Sequence, residues 1–346
     1  MAETNKQEHG TFIPFLMRIS SDDGSLHNNI NSFVVGDPKT ASQAAKRFDR
    51  GVQYYQKGVY RPAQIAFQDA LGLYQACQDP RGQAQSWVGL GLTYYSMGDY
   101  DEAIAFSNHG LTIARSIGDR WTERQALSNL GNAYRHLYDY ERSLDYKRQT
   151  LTLAQALNDR PSQAAAWSNL GMLYKAMGED QDAIICYENS LVIASTLGDR
   201  QIERQVLQNL GNVHHKLGEH QKTIQCYEKL LHIVRASNDQ RAEMRILKSL
   251  GGAYYIVKNY AKSIAFHQKR LMLARLLQDA NHEVQTLGML GTIHHAIGKH
   301  GDALAYHEQQ LTLAQQLKQM QVVQRTRVIL KTICCIVGDF DRARQY

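Results

Sequence analysis

Three asparagines spaced forty residues apart, Asn129, Asn169 and Asn209, share one register, and Asn132 and Asn212 share another. An amide carries both a donor and an acceptor. A row of them can therefore pair with the backbone of an extended peptide whatever its side chains. Asparagine is a mediocre helix former, and a merely solvated helix face is more easily built from Glu, Lys or Ala. Near the amides stand Gln208, Arg135, Lys175, His215, Lys216, Arg245 and Lys248, and the cations among them would attract acidic side chains. Each group also has a plainer reading. The asparagines would bridge adjacent helices, and the cations would be ordinary solubilising charge.

Histidine is the other chemistry-bearing residue. "GNVHHKLGEH" supplies His214, His215 and His220, and "GTIHHAIGKH" supplies His294, His295 and His300. No carboxylate or thiol falls at zinc-ligand spacing beside either set. "HEQQL" at His307 lacks the second histidine of a zinc-protease helix, and no Walker loop, nucleophile elbow or dinucleotide fingerprint is present. The expectation is a protein with no catalytic residues, no cofactor and no metal.

The elements that must position these residues follow from a forty-residue period. Gly91, Gly131, Gly171, Gly211, Gly251 and Gly291 run in step with the preceding leucines, Leu90 to Leu290. An aromatic or histidine follows three residues on, as Tyr94, Tyr134, Tyr174, His214, Tyr254 and His294. Asp79, Asp119, Asp159, Asp199, Asp239 and Asp279 close successive units. Within a unit, Trp87, Leu90, Gly91 and Tyr94 form one helical stripe, and Ala103, Phe106, Gly110, Leu111 and Ala114 form a second. Glycine in "MGDY" suits a C-terminal cap, and the recurrent aspartate suits an N-cap. One pair of helices cannot bury both stripes, so the pairs must stack. The sequence predicts an all-α array with repeats at about 41–80, 81–120, 121–160, 161–200, 201–240, 241–280 and 281–320, and a partial eighth at 321–346. Residues 1–39 precede it as a flexible segment.

Composition agrees. Of 346 residues, 43% are hydrophobic and 21% charged, enough to fold and stay soluble. The net charge of +6 permits an acidic partner but lacks the dense basic clustering of nucleic-acid binding. No segment is long and apolar enough to span a membrane, and "MAETNKQEHG" is no signal peptide, so the expected location is cytoplasmic. Cys186 and Cys226 replace core aromatics and Cys334 a core tyrosine. All three read as buried thiols rather than as a disulfide framework.

Trp87, Leu90, Gly91, Tyr94 and Ala103 match W-x2-L-G-x2-Y followed by alanine, and the chain resembles the tetratricopeptide repeat family. It is most similar to the forty-residue type found in the LGN/Pins adaptors, kinesin light chain and many bacterial proteins. The resemblance implies a right-handed superhelical solenoid whose first helices line a concave peptide-binding groove. In that frame the amides and cations form the groove's centre. Phe48, Val52, Tyr55, Leu92 and Tyr95 at one end, with Ile329 and Ile336 at the other, form apolar anchoring surfaces. The implied function is a non-catalytic scaffold or adaptor binding an extended acidic segment. A peptide-sensing regulator is the alternative, and an enzyme assembled across repeats the least favoured.

Two expectations concern the ends. "TFIPFLMRI" would dock near Phe48, Val52 and Tyr95 or remain a tail. The C-terminal helix is apolar on more than one face and lacks a polar cap. Either the natural chain continues past Tyr346, or a partner covers this edge, or two copies pair through it as a homodimer.

Overall fold

The computed structural model describes residues 37–346; the docking expected of the "TFIPFLMRI" segment lies outside them. Among the described residues every regular element is a helix. They come in pairs: α1 (Pro38–Gln56) and α2 (Tyr60–Ala76), α3 (Pro80–Met97) and α4 (Tyr100–Ser116), α5 (Arg120–His136) and α6 (Tyr140–Ala156), α7 (Arg160–Met177) and α8 (Asp180–Leu197), α9 (Arg200–Lys216) and α10 (His220–Ala236), α11 (Gln240–Ile256) and α12 (Tyr260–Leu276), α13 (Ala280–Ala296) and α14 (His300–Gln316), then α15 (Met320–Val337) and the short α16 (Phe340–Ala343).

The first helix of most pairs begins where an aspartate can cap it. Asp119 accepts from the Thr122 N–H, Asp159 from Ser162, Asp239 from Ala242 and Asp279 from His282. Each side chain satisfies a donor that the first turn leaves without an intrahelical partner. Helices stop on a finer rhythm than the forty-residue repeat. Every twentieth residue from Gly58 to Gly338 has positive φ, including Gln78, Tyr138, Asn158, Asn238, Lys258, Gln278 and Lys318. The glycine signal of the sequence marks only some of these stops, because exposed non-glycine residues adopt the same left-handed backbone conformation at the others.

The repeating internal glycines are sites of close helix approach. A Cβ on Gly171 would lie 2.7 Å from the Tyr187 ring, and one on Gly251 would lie 2.5 Å from His267 Nε2. These glycines let the second helix of a pair lay a large side chain directly on the first.

The chain divides into two compact units between Val206 and Leu207. In unit one each helix packs on the next, and α1 touches α3 and α3 touches α5. Its cores are built on Phe48, Phe67 and Leu90, on Leu127 and Leu130, and on Leu170 and Cys186. Unit two is stacked in the same way around Leu287 and Leu290, Val284 and Val323, and Leu330 and Ile333.

Candidate functional site

In unit one the expected groove residues are mostly committed to the scaffold. The Asn129 Nδ2 donates to the Val88 carbonyl at 3.2 Å, bridging α5 to α3. Lys147, from α6, donates from Nζ to Asn132 Oδ1 at 2.5 Å. Arg135 Nη2 lies 2.9 Å from His136 Nε2, and that ring nitrogen is also 3.0 Å from the Tyr95 hydroxyl. Helix α5 is buried without a break from Thr122 to Tyr134. The plainer reading of Asn129 and Asn132 therefore holds: they bridge helices. Asn169 is different, being half-buried and without a hydrogen-bond partner among the described residues. Lys175 is half-buried as well.

The apolar end at Phe48, Val52, Tyr55, Leu92 and Tyr95 is a correction. All five are buried in one core cluster rather than lining an open surface. Phe48 packs on Phe67 with ring centroids 5.3 Å apart, and the Tyr55 hydroxyl bonds Ser96 Oγ at 2.8 Å. Burial pushes the Tyr55 phenol well above its ordinary range. The aromatic side chains are large enough to fill the space between successive first helices, and so they close the surface they were expected to present.

In unit two the same register is more open. Asn212 Oδ1 accepts from the Tyr227 hydroxyl at 2.7 Å and from Gln208 Nε2 at 3.2 Å, so this amide too is tied to its neighbours. Asn209 is half-buried with no partner among the described residues. His215, Lys216, Arg245 and Lys248 are exposed. Ile329 and Ile336 lie exposed on α15 beside Val328.

Several cations outside this face are ion-paired. On unit two Arg235 pairs with Glu243 at 2.6 Å and Arg275 with Glu283 at 2.7 Å. On unit one Arg115 and Arg120 both pair with Glu123. Arg245 and Lys248 have no carboxylate partner among the described residues. These surface arginines are ion-paired, whereas Arg245 and Lys248 are not.

Reading first helices alone missed a polar layer contributed by the second helices. Residues in the register of Phe67 become Ser107, Lys147, Tyr187, Tyr227, His267 and His307 along the chain. Those in the register of Ala70 become Gly110, Thr150, Ser190, Leu230, Arg270 and Gln310. His267 and Arg270 are 1% and 0% exposed. Burial, with the charges of Arg270 and Lys248, pushes the His267 imidazole down to about 4. Burial likewise lowers the Arg270 guanidinium to about 10. The signal was present in the sequence, since an arginine stands where other repeats carry mostly small or neutral residues.

The other histidines form pairs. His214 Nδ1 lies 2.5 Å from Glu219 Oε2, and that hydrogen bond holds the Glu219 carboxyl below its usual range. His295 and His300 meet at 3.2 Å through their Nδ1 atoms. Among the described residues no three potential ligands converge on a metal position. Cys186 is buried, and burial pushes its thiol up to about 11. Cys334 is buried too, while Cys226 is only partly so.

Comparison with known proteins agrees with this architecture. The tetratricopeptide repeat family matches residues 42–116, 122–196, 162–236, 203–275 and 242–316. The chain belongs to the tetratricopeptide repeat family, a protein-binding fold. Among curated proteins no sequence matches. Solved structures share the fold at low identity. A signal transduction ATPase with numerous domains, carrying a tetratricopeptide repeat sensor, from Pyrococcus horikoshii is 16% identical with a TM-score of 0.64; the alignment covers 99% of this chain and 51% of that one. A Rap protein complexed with competence and sporulation factor is 16% identical with a TM-score of 0.55, covering 90% and 80%. BtubC from P. vanneervenii is 21% identical with a TM-score of 0.52, covering 67% and 90%. Among the described residues no helix is long and apolar enough to cross a membrane.

Proposed function

We propose that the chain is a scaffold that binds an acidic protein or peptide segment on the first-helix face of its repeats, with unit two as the main contact. The observation that carries this reading is the exposed, carboxylate-free pair Arg245 and Lys248 on α11, one helical turn apart on the first-helix face. Charges left unpaired on a binding face steer an oppositely charged partner and fix its register. The free amides of Asn169 in unit one and Asn209 in unit two can each bond a ligand backbone.

A peptide-sensing regulator is the second reading. It draws support from the Rap protein solved with competence and sporulation factor, which has this fold. Both readings use the same face and differ in the size of the ligand. The test is capture of partners from the native source by wild-type protein and by Arg245→Glu with Lys248→Glu. Wild type should retain a partner that the doubly reversed protein loses while its helical circular dichroism stays intact. Equal recovery by both proteins would rule out this face as the binding site.

A further inference from the structure

Arg270 has no exposed surface, and its Nε and Nη1 make no hydrogen bond. Among the described residues only Nη2 is engaged, donating to Gln285 Oε1 at 3.1 Å. A guanidinium offers five N–H donors and keeps its charge, so a buried one normally sits against a carboxylate. Among the described residues none lies within ion-pair range. The Asp279 charge is felt by Arg270, but that carboxylate is committed to the His282 ring at 2.8 Å and to the cap of α13.

The surroundings lack a partner for the same reason. In repeats three and five the second-helix residue in the His267 register, Lys147 or Tyr227, bonds an asparagine on the paired first helix. In repeat six that asparagine is replaced by Gly252, where an added Cβ would meet no atom within 4 Å. His267 is left with both ring nitrogens unpartnered. Gln285, the one group bonded to Arg270, is itself exposed. The guanidinium thus reaches the surface through a side chain that can turn aside, with exposed Lys248 contributing a second positive charge to the same layer.

We propose that Arg270 anchors a carboxylate of an acidic peptide, which displaces Gln285 and completes the pairing that repeat six leaves unmade. The inference rests on the groove reading above and adds the residue beneath the face that the ligand grips. Nothing in the scaffold requires an arginine here, because equivalent positions hold Ala70, Gly110, Thr150, Ser190, Leu230 and Gln310. A carboxylate fits best, since its two oxygens match the fork of a guanidinium.

The test is fluorescence anisotropy of the full chain with a labelled, amidated oligoglutamate peptide. A Gly-Ser peptide with a free C-terminal carboxylate serves as the second probe. Arg270→Leu and Arg270→Gln copy residues that repeats five and seven already place in this register, so both should fold. Each should weaken oligoglutamate binding about tenfold or more without lowering the melting temperature. Arg270-dependent binding of the Gly-Ser probe alone would assign the site to a chain terminus and overturn an acidic-side-chain anchor. Undiminished oligoglutamate binding by both variants, with loss in Arg245→Glu/Lys248→Glu, would overturn the anchor and leave the groove standing. Binding insensitive to all of these changes would overturn both. A lowered melting temperature in both Arg270 variants, with binding intact in the folded fraction, would make Arg270 a structural residue only.

Discussion

Each unit buries an arginine completely, and among the described residues only the one in unit one has a carboxylate in ion-pair range. Arg124 in unit one lies with Nη2 3.5 Å from Asp159 Oδ2 and its guanidinium carbon 4.4 Å from the Trp121 ring centroid. Arg270 in unit two has a neutral glutamine. Lys147 and His267, which share a register, repeat the contrast, the first bonded to Asn132 and the second without a hydrogen-bond partner among the described residues. A buried charge given a partner is architecture. One left without a partner carries a standing cost that packing alone does not explain. The exposure of the overlying faces follows the same division: α5 is buried along its whole middle, whereas Arg245 and Lys248 on α11 face solvent.

The largest expected effect lies at Asp159. Changing it to asparagine keeps a good N-cap for α7 but leaves Arg124 without its counter-charge, and should cost about 3 kcal/mol in chemical denaturation. A cost below about 1 kcal/mol would erase the contrast between the two arginines.

Acid should expose the second region next. His267 has a folded value near 4, below the ordinary 6.5. The unfolded chain therefore binds the extra proton first as pH falls. Stability is complete above about pH 6.5 and declines down to about pH 4, by about 3 kcal/mol at full loss. His267→Tyr, the residue found at Tyr187 and Tyr227, should flatten that part of the melting-temperature profile. An unchanged slope would show that other groups, such as buried His294 and His307, carry it.

Asn132→Leu should remove one acceptor of the buried Lys147 ammonium and destabilise unit one by about 1–3 kcal/mol, read from thermal melts. The smallest effect carries the opposite sign. Arg270→Leu should stabilise the free protein by about 1 kcal/mol, because a hydrophobic side chain replaces a poorly paired buried charge.

The stacking of helix pairs was legible because it repeats. Leu90, Gly91 and their copies announce the close-packed face, and the aspartates announce the caps. The site was only partly legible. Asn129 and Asn209 look alike on paper, yet one bonds a carbonyl on the preceding first helix and the other has no side-chain partner among the described residues. Phe48 and Tyr95 read as groove lining because their helix face is right, but their volume closes that face. Arg270 escaped notice because the second helix is normally a packing element. Only its departure from Ala70, Gly110 and Leu230 distinguishes it, and that departure gains meaning once Gln285 is seen to be its one hydrogen-bond partner among the described residues.

The most direct measurement of the central claim is the melting temperature of wild type and Arg270→Leu, each with and without saturating oligoglutamate. A ligand that binds the folded state raises its melting temperature by mass action. Wild type should start lower and rise with peptide; Arg270→Leu should start higher and rise far less. Equal peptide-induced shifts in the two proteins, or a lower starting point for Arg270→Leu, would contradict the account.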